Sequence, residues 1–212
     1  ANVILSIVNP GDEVIIPTPY WVSYSEQVRL CQGEPVFVPG AAENNFKITP
    51  EQLEAAITPK SKLFMFSSPC NPSGSVYSKE ELAGLAAVFA KHPEVYIISD
   101  EIYEYINYES KHESIAQFGD LINRTIVING LSKGFAMTGW RLGYLAAPLH
   151  IAKACDKIQS QITSATCSIT QRAAITALMG ERITAHEMVA EFKKRRDYIY
   201  GALKTIPGLK TN

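Results

Sequence analysis

Polar side chains that can do chemistry follow three largely apolar segments of this chain, at residues 63–67, 95–99 and 125–129. These side chains belong to Asn71, Asp100, Tyr103, Ser132, Lys133 and Arg141. Together they supply an amide, a carboxylate, a phenol, a hydroxyl, an amine and a guanidinium. Taken alone, a strand-end carboxylate such as Asp100 can cap a helix, bind a metal or hold a cationic ligand. Only the set as a whole points to one ligand.

The set predicts pyridoxal phosphate as this ligand, because the functional groups of that cofactor match the set. An amine such as Lys133 forms a Schiff base with an aldehyde and then moves a proton on the substrate carbon. A carboxylate at Asp100 keeps the ring nitrogen protonated, so that the ring accepts carbanion electrons. Arg141 can bind a phosphate with two parallel hydrogen bonds, to which Ser132 adds a hydroxyl. Tyr103 stands three residues after Asp100, which suits one turn beside a flat ring.

The elements that must position these groups alternate along the chain, which predicts an α/β fold. Strands are predicted at 13–16, 35–38, 63–66, 95–99, 125–129 and 140–147, and helices at 21–31, 51–57, 79–91, 149–161, 169–179 and 184–205. The pattern favours three layers, α/β/α, around a mostly parallel mixed sheet. Open α/β sheets bind ligands at the carboxyl ends of their strands. The polar side chains are therefore expected to converge on one crevice.

Composition narrows the class of protein. The 212 residues are 46% hydrophobic and 19% charged, with a net charge of −1. A near-neutral chain without a basic run argues against nucleic acid or an anionic membrane as a partner, and its apolar runs are too short to span a bilayer. The four cysteines form no Cys-x-x-Cys pattern, which favours a reducing cytoplasm and predicts no metal site. The four histidines show no metal spacing and are expected at the surface.

Four motifs, in this order, resemble the class I/II aminotransferases, which are fold-type I pyridoxal-phosphate enzymes. They are Pro19-Tyr20-Trp21-Val22-Ser23-Tyr24, Pro69-Cys70-Asn71-Pro72-Ser73-Gly74, Ser99-Asp100-Glu101-Ile102-Tyr103, and the run from Ser132-Lys133 through Gly139-Trp140-Arg141 to Tyr144. The residues of the first and last motifs are most similar to those of the bacterial aspartate/prephenate branch of the family.

The resemblance implies a role for each site residue. Lys133 is the Schiff-base lysine, Asp100 the partner of the ring nitrogen, and Trp21 the aromatic side chain against the ring. The phenolate-oxygen donors are Asn71 and Tyr103, and the phosphate ligands are Ser132 and Arg141. The implied reaction is transamination between an L-amino acid, such as aspartate, and a 2-oxo acid.

The resemblance also implies an arrangement of domains. Residues 1–185 correspond to the pyridoxal-phosphate-binding large domain without its N-terminal part, and residues 186–212 to a long helix leading into a small domain beyond the chain. The family's glycine-rich phosphate loop and the arginine that grips the substrate α-carboxylate are expected outside these residues, so this chain alone is expected to be inactive. The resemblance also implies that the protein forms a homodimer.

Other interpretations stay open at this stage. Asp100 can cap a helix, Arg141 and Lys133 can be surface charges, and Trp21 can pack in the core. Tyr20, Tyr24, Tyr105 and Tyr108 are expected to pack rather than take part in chemistry. The same core also suits a C–S lyase, a cyclopropane-forming synthase, the ligand-binding domain of a transcription regulator, or an inactive folding core.

Overall fold

The strands of the protein form one mixed sheet. The computed structural model describes residues 1–108 and 111–211, so Glu109, Ser110 and Asn212, which fall within the predicted domain ranges, lie outside the described residues. The described strands are β1 Glu13–Thr18, β2 Glu34–Pro39, β3 Ser61–Ser67, β4 Tyr96–Asp100, β5 Thr125–Gly130 and β6 Gly143–Ala146. They are ordered β2-β1-β3-β4-β5-β6. All neighbours pair in parallel except β5 and β6, which are antiparallel. The predicted mostly parallel sheet is confirmed.

The apolar runs of the strands are buried on both faces of the sheet. In β3, Leu63 and Met65 pack into the core on one face, whereas Phe64 and Phe66 pack into the core on the other. Successive side chains of a strand point to opposite faces, so a continuous apolar run requires two covering layers.

Helices supply those two layers. The described α-helices are α1 Asn2–Ile7, α2 Ser23–Leu30, α3 Pro50–Ala56, α4 Lys79–Phe89, α5 Leu149–Ile162, α6 Ser168–Met179 and α7 Ile183–Lys204. Side chains of α1, α2 and α5 share a core with Leu63, and those of α3 and α4 share a core with Phe64. Capping boxes, in which side chain and backbone bond reciprocally, begin α3 at Thr49 and α4 at Ser78. This confirms the predicted α/β/α architecture.

The predicted strand over 140–147 is shorter in the structure. Residues Thr138–Trp140 form a 3-10 turn, and Arg141 has a left-handed backbone with φ of 56°. This conformation cannot continue a strand, so pairing with β5 begins only at Gly143. The consequence is a loop, instead of a strand, around Arg141.

Helices α6 and α7 are largely exposed. Ala174 and Thr170 are the buried residues of α6, and Ala185 is that of α7. Among residues 1–108 and 111–211, none of the helices combines the length and the apolar character needed to cross a membrane.

Candidate active site

A cleft of about 410 Å³ lies at the carboxyl ends of β3, β4 and β5. It is lined by every side chain that the sequence analysis selected: Trp21, Asn71, Asp100, Tyr103, Ser132, Lys133 and Arg141. The structure therefore brings the predicted set together, and the strand order explains why. Strands β3, β4 and β5 are adjacent and parallel, so the loops that follow them meet at one edge.

Asp100 is the last residue of β4, and its carboxylate is held by two donors. Tyr24 Oη donates to Asp100 Oδ2 at 2.6 Å, and the backbone N–H of Ile102 donates to Oδ1 at 3.2 Å. Burial raises the pKa of Asp100, while these two hydrogen bonds act in the opposite direction. Hydrogen-bonded turns follow Asp100 where a capped helix would begin, so the helix-cap interpretation is wrong.

Tyr24 is a residue of the cleft that the sequence analysis expects only to pack. Its side chain is 4% exposed, yet its hydroxyl reaches Asp100 from α2, 76 residues away in the chain. Burial, followed by the nearby charge of Asp100, raises the pKa of Tyr24, which keeps the hydroxyl protonated as a donor. The available signal was its position three residues after Trp21, which places both side chains on one side of a helical turn.

Trp21 borders the cleft instead of packing in the core. It is 42% exposed, and its ring meets the Tyr24 ring edge-on, with centroids 5.7 Å apart and planes at 87°. The core-packing interpretation of Trp21 is therefore wrong. An exposed aromatic face beside a carboxylate suits a flat cationic ring.

Lys133 lies on a tight turn directly after β5. The N–H of Met137 donates to Leu131 O at 3.2 Å, and the N–H of Ala136 donates to Lys133 O at 3.1 Å. Lys133 Nζ lies 5.7 Å from the centroid of the Tyr103 ring. The amine thus projects into the cleft beside the phenol that follows Asp100.

Ser132 and Arg141 lie in the same loop. Thr138 Oγ1 donates to Ser132 O at 2.7 Å, and Arg141 Nη1 donates to Thr138 O at 2.8 Å. Arg141 is exposed at the rim of the cleft. A hydroxyl and a guanidinium held in one loop can bind a phosphate, because guanidinium binds phosphate oxygens through several N–H donors.

Asn71 enters the cleft from the loop after β3. The N–H of Gly74 donates to Cys70 O at 2.8 Å, and the N–H of Cys70 donates to Ser75 O at 2.9 Å, which closes this loop on itself. Gly74 has a φ of 74°, which favours glycine. Asn71 and Tyr103 also line a second cleft, of about 640 Å³.

Glu101, the residue after Asp100, is buried in a hydrogen-bond network. Its carboxylate accepts from Ser99 Oγ at 2.9 Å and from Ser114 Oγ at 2.6 Å. His112 Nε2 donates to it at 2.7 Å, and the His112 side chain is only 16% exposed. The surface position expected for His112 is therefore wrong. The network ties the segment after β4 to residues 112–114.

One group of possible metal ligands occurs within the described residues. Ligand atoms of Glu101, Glu104 and His112 lie within 4.8 Å of one another. Because Glu101 already accepts hydrogen bonds from protein side chains, we assign no metal to this group.

With this geometry established, comparison with known proteins identifies the family. The family model described as aminotransferase class I and II matches residues 1–211. The chain belongs to this aminotransferase family. The aminotransferase chain is 50% identical over 204 residues to the aspartate aminotransferase of Geobacillus stearothermophilus, covering 95% of this chain and 52% of that protein. It is 47% identical over 210 residues to the aspartate/prephenate aminotransferase of Nitrosomonas europaea, covering 98% and 53%.

A solved structure agrees with these relatives. The crystal structure of the aspartate aminotransferase from Rhizobium meliloti matches with a TM-score of 0.95 and 44% identity, covering 98% of this chain and 52% of that chain. This similarity confirms the predicted fold of the aminotransferase chain. The chain spans about half the length of the relatives it matches.

Proposed function

We propose that the protein carries out pyridoxal-phosphate-dependent transamination between an L-amino acid and a 2-oxo acid. The observation that carries the proposal is the cleft that unites Lys133, Asp100 and Arg141. An amine, a carboxylate and a guanidinium fit the aldehyde, ring nitrogen and phosphate of one cofactor. Membership of the aminotransferase family supports the same chemistry.

The cofactor would be held by seven of the side chains that line the cleft. Lys133 would hold the aldehyde carbon, and Asp100 the ring nitrogen. Asn71 and Tyr103 would donate to the phenolate oxygen, whereas Ser132 and Arg141 would bind the phosphate and Trp21 would cover the ring. These are the residues Trp21, Asn71, Asp100, Tyr103, Ser132, Lys133 and Arg141. When bound, pyridoxal phosphate supplies an electron sink for the substrate carbanion.

The residues of the chain would supply proton transfer and charge. The Lys133 amine would move a proton at the substrate α-carbon. Asp100 would keep the ring nitrogen protonated, and the hydrogen bond from Tyr24 supports this role because it favours the ionised carboxylate.

Aspartate is the amino donor we propose. The relatives from Geobacillus stearothermophilus and Nitrosomonas europaea are named for aspartate, and the latter also for prephenate. Since the chain spans about half of those relatives, residues beyond it would contribute to the choice of substrate.

The first test is a visible absorbance spectrum with added pyridoxal phosphate, followed by borohydride reduction and peptide mapping. We expect a yellow complex that is reduced onto Lys133 and absent from Lys133→Ala. The matched control is Lys157→Ala, since Lys157 is an exposed residue of α5. Attachment that persists in Lys133→Ala would move the lysine assignment elsewhere. A parallel assay of the intact protein with aspartate and 2-oxoglutarate tests the reaction, and turnover of cysteine conjugates without transamination would favour a C–S lyase.

We also propose that the protein forms a homodimer. Its location would be the cytoplasm, and a boundary between two domains would lie near residue 185. Exposed apolar side chains on α5, α6 and α7 support an interface: Ile162, Ile169, Ile175, Met179, Ile183 and Ile199. Exposed apolar patches mark surfaces at which a protein binds another protein chain. Sedimentation tests this assembly, and a strictly monomeric protein would contradict it. The location rests on the cysteine pattern.

A further inference from the structure

The turn after β4 packs against the turn after β5 at two glycines that flank Leu131, Ser132 and Lys133. A Cβ at Gly130 would lie 3.2 Å from Ile102 Cδ1. A Cβ at Gly134 would lie 2.6 Å from Tyr105 Cδ2, 3.0 Å from Tyr105 Cβ and 3.1 Å from Tyr105 Cγ. Gly134 is buried and directly follows Lys133. Tyr105 therefore lies against the backbone beside the cleft lysine, in a space that fits only glycine.

Tyr105 cannot easily move out of this contact. Its ring meets the Phe135 ring at 68° with centroids 5.2 Å apart, and the Arg182 guanidinium lies 5.0 Å from its centroid. The shortest contact with a Cβ at Gly134, at 2.6 Å, is made by Tyr105 Cδ2 in this ring. Because Phe135 and Arg182 hold the ring, an added Cβ at Gly134 would displace the backbone there, whereas Tyr105→Ala removes the ring atoms that it meets.

The backbone on both sides of the contact is held by hydrogen bonds. On the Tyr105 side, the N–H of Glu104 donates to Glu101 O at 2.9 Å, and the N–H of Ile106 donates to Tyr103 O at 2.8 Å. On the other side, the bond from Ala136 N to Lys133 O closes the lysine turn around Gly134. A shift at Gly134 is consequently passed to Lys133, its neighbour in that turn.

We infer that Tyr105 is a positioning residue for Lys133: its packing on Gly134 sets the spacing between the lysine turn and the turn that carries Tyr103. The Lys133 amine lies beside the Tyr103 ring at 5.7 Å, so this spacing decides where the amine sits in the cleft. The assignment of Lys133 as the cofactor lysine rests on the proposed function, but the packing itself does not.

The test is a cycle of substitutions: Gly134→Ala, Tyr105→Ala and the double variant, made in the intact protein. Tyr105→Phe keeps the ring and should behave as the parent. The matched control is Gly139→Ala, in the same loop, where an added Cβ would meet nothing within 4 Å. Urea unfolding of each variant separates lost folding from altered positioning.

The first measurement is pyridoxal phosphate attachment at Lys133, read by absorbance and by its pH titration. Gly134→Ala should weaken attachment about tenfold, the size expected for overpacking at a close contact. It should also shift the absorbance titration, and the double variant should return both to the Tyr105→Ala values. Attachment and titration unchanged in Gly134→Ala, or no rescue in the double variant, would overturn the inference.

The second measurement needs no cofactor. Reductive methylation with formaldehyde and peptide mass analysis give the labelling rate of Lys133 relative to Lys157. This ratio should change by at least about fivefold in Gly134→Ala, the lower end of the same range, and recover in the double variant. If the parent protein takes up no pyridoxal phosphate at Lys133, the proposed function fails, and the labelling ratio alone decides the positioning role.

Discussion

The hydrogen bond between Tyr24 and Asp100 leads to a sharp prediction for Tyr24→Phe. The substitution removes one hydroxyl and keeps the ring, so it leaves the packing of this buried side chain intact. A hydrogen bond to a charged group contributes about 1.5–3 kcal/mol. We therefore expect the free energy of unfolding at neutral pH to fall by that amount, because the bond measures 2.6 Å and joins a buried donor to a carboxylate.

The pH dependence of this loss has a definite sign. Burial raises the pKa of Asp100 in the folded protein, so ionisation of Asp100 costs stability as the pH rises through this pKa. Without the Tyr24 hydroxyl, the carboxylate loses a donor and its pKa rises further. The destabilisation by Tyr24→Phe should therefore be small where Asp100 is protonated and should grow as the pH rises.

Urea unfolding at several pH values measures this effect, and the control is Tyr20→Phe. Tyr20 Oη donates to Ser25 Oγ at 3.1 Å, a neutral pair for which about 0.5–1.5 kcal/mol is expected at every pH. A double-mutant cycle with Asp100→Ala isolates the coupling. Equal, pH-independent losses for Tyr24→Phe and Tyr20→Phe, with a coupling below about 0.5 kcal/mol, would refute the reasoning.

Two further predictions concern His112, which contacts the residue after Asp100, and Asp100 itself. Burial lowers the pKa of His112, but Glu101, with Glu104 and Glu113, raises it more, so the net pKa lies above its ordinary value. The stability that charged His112 contributes should thus be complete below its pKa in the unfolded chain and should be lost as the pH rises through its pKa in the folded protein. Denaturant titrations from acid to alkaline pH check this. An identical pH profile of stability in His112→Gln would contradict it. In the intact enzyme, Asp100→Ala should leave attachment of pyridoxal phosphate to Lys133 possible but lower the rate of transamination at least about a hundredfold, as for a lost charge partner in an active site. Near-normal turnover would contradict this.

Much of the fold could be predicted because its signals are local. Apolar runs alternate with segments of helical periodicity, and both patterns can be recognised from consecutive residues. Buried parallel strands need such apolar runs. The capping boxes that the structure shows at Thr49 and Ser78 also involve residues only three apart in the sequence. The strand predicted around Arg141 was too long because the left-handed backbone there serves a loop whose hydrogen bonds involve Ser132, several residues away.

The sequence by itself determined which chemical groups are present and in which order they follow the strands, and this sufficed to select Asp100, Lys133 and Arg141. Only the tertiary structure decided which of the remaining side chains meet them. Tyr24 reaches Asp100 from 76 residues away, and Tyr105 meets Gly134 across two separate turns. Contacts of this kind depend on how neighbouring strands and helices pack in space, and neither hydrophobic periodicity nor motif spacing encodes that packing.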